Sequence, residues 1–69
     1  MTRMTAREIE IARLVADGLS NKQIARTLGI TEGTVKVHLH NINEKLAIRN
    51  RTMLAISVQT WPRKQKVEP

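Results

Sequence analysis

The sequence predicts an all-α protein, a four-helix bundle that contains a helix-turn-helix. Within the predicted segments, apolar residues recur three and four positions apart, the spacing that places them on one side of a helix. A chain of 69 residues without cysteine must stabilise itself through one apolar core, which favours close-packed helices. We expect one domain at residues 1–61 and a flexible basic tail at residues 62–69. Each helix follows a residue type that caps helix N-termini; these are Thr5, Ser20, Thr31 and Asn50.

Two helices open the domain. The first is predicted from Ala6 to Ala16 and the second from Asn21 to Leu28. Gly18 and Gly29 follow them and can end each helix by taking a positive φ. Both helices begin with a capping box, in which two residues three positions apart each bond to the other's backbone. The boxes pair Thr5 with Glu8 and Ser20 with Gln23.

The third helix, predicted from Thr31 to Leu46, has two distinct faces. Its apolar stripe consists of Val35, Leu39, Ile42 and Leu46. At about 100° per residue, small and basic residues fall on the opposite side; these are Gly33, Lys36, Val37 and His40. A short helix, a tight turn with glycine and a longer helix form a helix-turn-helix, whose second helix lies in the DNA major groove. The alternative is an ordinary helical hairpin in a small bundle.

The outward side of the third helix carries candidate contacts to base edges. Lys36 can donate to guanine O6 and N7, and Val37 can touch a thymine methyl group. His40 can donate or accept a hydrogen bond, and Gly33 would let the helix approach closely. The alternative for Lys36 and His40 is a solvated helix face.

Candidate phosphate contacts lie near the starts of the second and third helices. Hydroxyl, amide and backbone N–H groups there suit phosphate oxygens, and the helix dipole favours an anion. These residues are Asn21, Lys22, Thr31 and Thr34, although pure capping is the alternative for Thr31. His38, on the shoulder of the apolar stripe, is interpreted as half-buried, with a phosphate contact as its functional alternative.

The fourth helix, predicted from Arg51 to Thr60, is apolar on more than one side. Leu54, Val58 and Trp61 make one line, which suits the core. Met53 and Ile56 make a second line that a 69-residue monomer has little means to cover. We therefore expect a homodimer contact; its residues are Met53, Ile56 and Thr60. The alternative is a pair of ordinary exposed apolar residues.

Charge indicates a polyanionic partner. Twelve Lys and Arg against six Asp and Glu give a net charge of +6. Trp61 is the single aromatic residue, so the chain cannot build the stacking platform of single-strand binders, and duplex DNA is favoured. The alternative is a soluble protein whose charge has no partner. No apolar run suits a membrane span or a signal peptide, so we expect a cytoplasmic protein that associates with the nucleoid.

Catalysis is not expected. The sequence contains no phosphate-binding glycine loop, metal motif or nucleophile elbow. His38 and His40 point about 200° apart on a helix and cannot share a metal ion. Ser20 is better explained as a cap than as a nucleophile. We expect no enzyme, no cofactor, no metal site and no small-molecule ligand in this segment.

The sequence closely resembles the LuxR-type helix-turn-helix domain of bacterial transcription regulators. The resemblance covers Met4 to Val58, and several motifs of fixed spacing agree at once. They are Thr5-x-Arg7-Glu8, then Gly18-Leu19-Ser20-Asn21-Lys22-Gln23-Ile24-Ala25, then Leu28-Gly29-Ile30-Thr31-Glu32-Gly33-Thr34-Val35-Lys36-Val37-His38-Leu39, then Asn41-Ile42 and Lys45-Leu46.

The resemblance implies a four-helix DNA-binding domain that dimerises through its last helix. It also implies that Lys36, Val37 and His40 lie where the family contacts bases. A two-component response regulator or a stand-alone small regulator would carry such a domain, with RNA polymerase as a further candidate partner. The rival hypotheses are a protein-interaction module that uses the helix-turn-helix as a scaffold and a sigma-factor-like promoter reader.

Overall fold

The computed structural model describes residues 3–61, which form four α-helices and no strand. The helices are α1 (Ala6–Ala16), α2 (Asn21–Leu28), α3 (Glu32–Leu46) and α4 (Arg51–Val58). This confirms the predicted all-α fold and its helix-turn-helix, formed by α2 and α3. Within the described range, none of the helices has the length and apolar character needed to cross a membrane. The tail predicted at residues 62–69 lies outside the described residues.

The helices begin where the capping residues predict. Both capping boxes are formed, with each partner hydrogen-bonded to the other's backbone. Thr31 caps α3 by accepting a hydrogen bond from the Thr34 N–H at 3.1 Å. Asn50 caps α4 by accepting from the Met53 N–H at 2.9 Å. Local sequence therefore determines all four starting points.

Helices α1, α2 and α3 end alike, through one residue in the left-handed conformation. Gly18 (φ 94°) and Gly29 (φ 70°) take this position after α1 and α2, as predicted. After α3 it is taken by Ala47 (φ 55°), the one non-glycine residue with positive φ among residues 3–61. The Ile48 N–H then donates to the Asn43 carbonyl at 3.0 Å, which closes the last turn of α3.

The prediction extended α4 to Thr60, but the α-helix ends at Val58. Beyond it, the backbone N–H groups of residues 59–61 bond to carbonyls three residues back, which is the 3₁₀ spacing. The Thr60 hydroxyl also donates to the Ser57 carbonyl at 2.7 Å. The chain therefore continues as a tighter turn, and Thr60 lies just after α4 rather than in it.

Helix α1 is the centre of the bundle. It packs against each of the other three helices, whereas α2 packs mainly on α3 and α4 mainly on α1. All four helices contribute to the core, and the largest fully buried side chains are Ile11, Ile24, Val35, Ile42 and Leu54. The helix-turn-helix and α4 are thus both built on α1.

A partly buried ion pair holds the far end of α3 to the start of α1. The Lys45 ammonium donates to Glu8 Oε1 at 2.7 Å and to the Arg3 carbonyl at 3.1 Å. Glu8 is 3% exposed and also accepts from the Thr5 N–H at 2.8 Å. Burial alone would raise the pKa of the Glu8 carboxyl. The hydrogen bonds from Lys45 and Thr5 and the charge of Lys45 outweigh burial, so this pKa lies below its ordinary value of 4.5.

Candidate nucleic-acid interface

The outward face of α3, defined by Gly33, Lys36, Val37 and His40, is exposed along its length. On the other side of the helix, Val35 and Ile42 are fully buried, so α3 is anchored from behind. Val37 is 60% exposed, so its apolar side chain is available on this face. The structure thus brings together on one surface the four residues predicted to face base edges.

Nothing inside the domain requires glycine at position 33. A Cβ atom built on Gly33 would meet only the Thr31 hydroxyl, at 3.8 Å, which is an ordinary contact. Its φ is not in the left-handed region, and glycine lowers helix stability relative to alanine. The absence of a side chain here leaves the outward face flat beside Lys36 and Val37.

The threonines at the start of α3 are engaged with each other. The Thr31 hydroxyl accepts from the Thr34 N–H, and the two hydroxyl oxygens lie 2.9 Å apart. Both side chains are nevertheless exposed. Capping is therefore an observed role of Thr31, and it leaves both hydroxyl groups at the surface where a phosphate could reach them.

Asn21 and Lys22, at the start of α2, have different surroundings. The Lys22 side chain is exposed and makes no ion pair within residues 3–61. Asn21 Oδ1 instead accepts a hydrogen bond from Arg51 Nη1 at 2.7 Å. Arg51 Nη2 also donates to the Leu19 carbonyl at 2.6 Å. The Asn21 oxygen is thus committed inside the domain, and only its NH₂ group remains for an external acceptor.

Sequence reasoning did not identify Arg51. A signal was present, because Arg51 is the first residue of α4 and a cation is unfavourable at the positive end of a helix dipole. A basic residue in that position suggests another reason for its presence. That reason is its contact with the start of α2, 30 positions earlier in the chain.

His38 is half-buried at the edge of the core, as its place on the shoulder of the apolar stripe predicts. No group of three or more potential metal ligands occurs among residues 3–61. A shallow groove between the ends of α1 and α4 is lined by Asp17, Gln59 and Trp61 among others. There the Arg13 guanidinium lies 5.5 Å from the centre of the Trp61 ring, a cation–π contact.

The two apolar lines of α4 have opposite environments. Leu54 and Val58 are buried against α1, whereas Met53 and Ile56 are 49% and 56% exposed. Thr60, just after the helix, is also exposed. We call Met53, Ile56 and Thr60 the exposed line. Its separation from the core confirms the two-sided pattern read from the sequence.

Comparison with known proteins gives consistent matches. The family model described as GerE, bacterial regulatory proteins of the luxR family, matches residues 2–58. The transcriptional regulatory protein LnrK of Bacillus subtilis (strain 168) is 57% identical over 53 residues, which are 77% of this chain and 24% of LnrK. The nitrate/nitrite response regulator protein NarL of Escherichia coli (strain K12) is 45% identical over 58 residues, 84% of this chain and 27% of NarL.

A solved structure is also similar. The response regulator ChrA of a heme-sensing two-component system superposes with a TM-score of 0.81 at 43% sequence identity. The superposition covers 87% of this chain and 30% of the ChrA chain. The chain spans about a quarter of the length of the curated relatives it matches.

Proposed function

This chain belongs to the luxR family of bacterial regulatory proteins, and we propose that it reads duplex DNA in a sequence-specific manner with α3 in the major groove. The family and the fold make it a DNA-binding helix-turn-helix domain of a transcription regulator. The observation that carries the proposal is the outward face of α3, on which a cation, an exposed valine, an imidazole and a position without a side chain adjoin.

Each group on this face suits a different feature of a base pair. The major groove is about 12 Å wide and admits one α-helix. The Lys36 ammonium would donate to guanine O6 and N7, and Val37 would pack on a thymine methyl group. Gly33 would allow the start of α3 to approach the groove floor, and His40, one turn beyond Lys36, would contact a neighbouring base.

Groups at the starts of α2 and α3 would hold the phosphate backbone. Lys22 supplies charge, the Thr31 and Thr34 hydroxyls supply donors, and the NH₂ group of Asn21 supplies another. His38 is a candidate for a peripheral phosphate contact because its side chain is partly exposed. These contacts would fix the orientation of α3 without carrying sequence information.

The exposed line supports a homodimer as part of the proposal. Met53 and Ile56 lie three positions apart on α4 and are exposed, and Thr60 is exposed just beyond the end of the helix, so a second copy of α4 could cover all three. A twofold dimer presents two copies of α3, which would read two related half-sites. The names of relatives such as NarL and ChrA supply the wider context, namely the effector domain of a two-component response regulator. A stand-alone small regulator is the other form, and RNA polymerase is a further proposed partner.

The proposal is tested by fluorescence anisotropy on mixed-sequence duplex DNA at several salt concentrations. We expect binding that weakens linearly in log–log form as salt rises. Lys22→Ala should weaken binding to every duplex similarly and reduce the salt slope by about one. Arg7→Ala removes the same charge from the exposed surface of α1 and serves as the control, with an unchanged slope.

The rival function, a scaffold for protein–protein contacts, gives the opposite outcome. Such a module would show no duplex binding even at low salt, or binding that Lys22→Ala and Arg7→Ala weaken equally. Either result would contradict the proposed interface.

A further inference from the structure

Helix α4 and the helix-turn-helix are joined mainly through α1. Helix α4 packs on α1, while α2 and α3 pack on each other and on α1. The exposed line of α4, the proposed dimer contact, is therefore coupled to α3 by packing mainly through α1. Residues 47–50 connect the end of α3 to α4. A side-chain contact between α4 and the start of α2 would add a second link, at the other end of the helix-turn-helix.

Arg51 makes such a link. Its Nη1 donates to Asn21 Oδ1 at 2.7 Å, and its Nη2 donates to the Leu19 carbonyl at 2.6 Å. Leu19 and Asn21 flank Ser20, the N-cap of α2. The guanidinium therefore hydrogen-bonds to the residues on either side of Ser20, where the helix-turn-helix begins. Hydrogen bonds from a charged donor are short and about twice as strong as neutral ones.

The position of Arg51 on α4 fits this role. Arg51 is three and seven residues before Leu54 and Val58, which are buried, so it lies on the side of α4 that faces the domain. The exposed line lies on the other side. One side of α4 thus faces the proposed partner copy, while the other holds the start of α2.

The cost of a cation at this position supports the same conclusion. Arg51 is the first residue of α4, whose first turn contains no acidic residue to offset the charge. The helix dipole disfavours a cation there. The hydrogen bonds to Asn21, in α2, and to Leu19, just before it, offset that cost, and neither is needed to cap α4, because Asn50 already does so.

We infer that Arg51 is a positioning residue, one that fixes the helix-turn-helix relative to the dimer helix and thereby sets the spacing between the two half-sites. The inference rests on the proposed function. Adding one base pair between half-sites displaces them by about 3.4 Å along the duplex and turns them by about 35°. A small change in the tilt of α2 against α4 would therefore alter which spacing fits.

The test uses duplexes with two copies of a half-site, taken from sequences that wild-type protein selects from a random pool, at spacings that differ by one base pair. A duplex with one half-site is the reference. Arg51→Lys is the main variant, because it keeps the charge but cannot span two acceptors with a planar fork. Asn21→Ala removes one of the acceptors and gives an independent variant.

We expect wild-type protein to prefer one spacing by at least about tenfold in affinity. One mismatched base pair already weakens binding on the order of tenfold, and a misplaced half-site disturbs several contacts. In Arg51→Lys and in Asn21→Ala the preference should fall below about threefold. The double variant should lose no more of the spacing preference than either single variant, because both substitutions disrupt the same contact between residues 51 and 21. If a variant also weakens a phosphate interaction equally at every spacing, that effect cancels in the ratio of affinities.

Three results would overturn the inference. Arg51→Lys and Asn21→Ala could both retain the wild-type preference, which would leave the proposed function intact and remove only the role of Arg51. Arg51→Lys could match wild type while Arg51→Gln weakens binding to every duplex, including the single half-site, which would make Arg51 a phosphate contact. Wild-type protein could bind all spacings with equal affinity, which would remove the inference; if that affinity also equalled the affinity for the single half-site, the proposed dimer would fail as well.

Discussion

At the scale of single residues, Ala47 has the least favourable backbone conformation for its residue type among residues 3–61. It ends α3 with φ 55° and ψ 43°, a left-handed conformation in which a Cβ atom crowds the following carbonyl. Glycine takes the corresponding place after α1 and α2. The Ala47 side chain is exposed, so it has no burial to offset the cost.

Ala47→Gly should therefore stabilise the domain, by about 1 kcal/mol in the free energy of unfolding. Urea denaturation followed by circular dichroism measures the change. Ala55→Gly makes the same exchange inside α4 and should instead destabilise by about 1 kcal/mol. If both variants lowered the free energy of unfolding equally, Ala47 would carry no backbone strain.

Glu8 should make the stability depend on pH. Its pKa lies below 4.5 in the folded state, so its contribution is fully present above about pH 4.5 and is lost as the pH falls through the folded-state pKa. Glu8→Gln keeps an acceptor for the Thr5 N–H but removes the charge that pairs with Lys45. We expect a loss of about 1–3 kcal/mol at pH 7.

The measurement for Glu8 is the thermal unfolding midpoint of wild type and of Glu8→Gln between pH 7 and pH 3. The difference in unfolding midpoint between the two proteins should narrow below pH 4.5. Protonation of Glu8 then removes from wild type the negative charge that Glu8→Gln lacks at every pH. A difference that stays constant down to pH 3 would contradict the assigned role of the ion pair.

The sequence predicts local features of the fold well, because they depend on neighbours. The N-caps and the glycine ends involve residues within five positions of each other. The Lys45–Glu8 pair joins residues 37 positions apart, and the Arg51–Asn21 bond joins residues 30 positions apart. Such pairs depend on how helices pack, so a local pattern can single out one residue, as the helix dipole does for Arg51, but cannot identify its partner. Ala47 was missed for a different reason, since alanine is not a residue that favours positive φ.

At the scale of elements, α4 combines two apolar lines in eight residues. Periodicity separates them correctly, because the line that contains Leu54 and Val58 is buried and the exposed line is not. The end of the helix was less predictable. The 3₁₀ turn after Val58 arises from hydrogen bonds of residues 59–61 that the apolar pattern does not report.

The exposed line should control self-association. Met53→Glu and Ile56→Glu each place a charge where a second α4 would pack, so both should shift the protein towards monomer and weaken binding to a duplex with two half-sites at least about tenfold. Gln59→Glu adds the same charge next to the end of α4, outside the exposed line, and serves as the control.

Sedimentation velocity, with and without duplex DNA, measures this effect. Wild type should bind a two-half-site duplex as a pair, and the Met53 and Ile56 variants as single copies. If all four proteins sediment alike on DNA, the dimer contact lies elsewhere or does not exist.

At the scale of the whole molecule, the other three helices support α3 and leave its outward face exposed. α1 anchors α2 and α3 on one side and carries α4 on another, and the buried residues of α3 point away from its outward face. The net charge of +6 would draw the domain to any duplex. Sequence preference must then come from the few groups on the outward face, with Lys36 the group best suited to hydrogen-bond a base edge.

Selection of preferred sites from a random duplex pool tests this claim most directly, with wild type, Lys36→Ala and Lys22→Ala compared. We expect Lys36→Ala to lose about 1–3 kcal/mol of discrimination at one base position. Lys22→Ala should select the same sequences as wild type with lower affinity. An unchanged ranking of sites in Lys36→Ala would contradict the assignment of Lys36 as the base contact of α3.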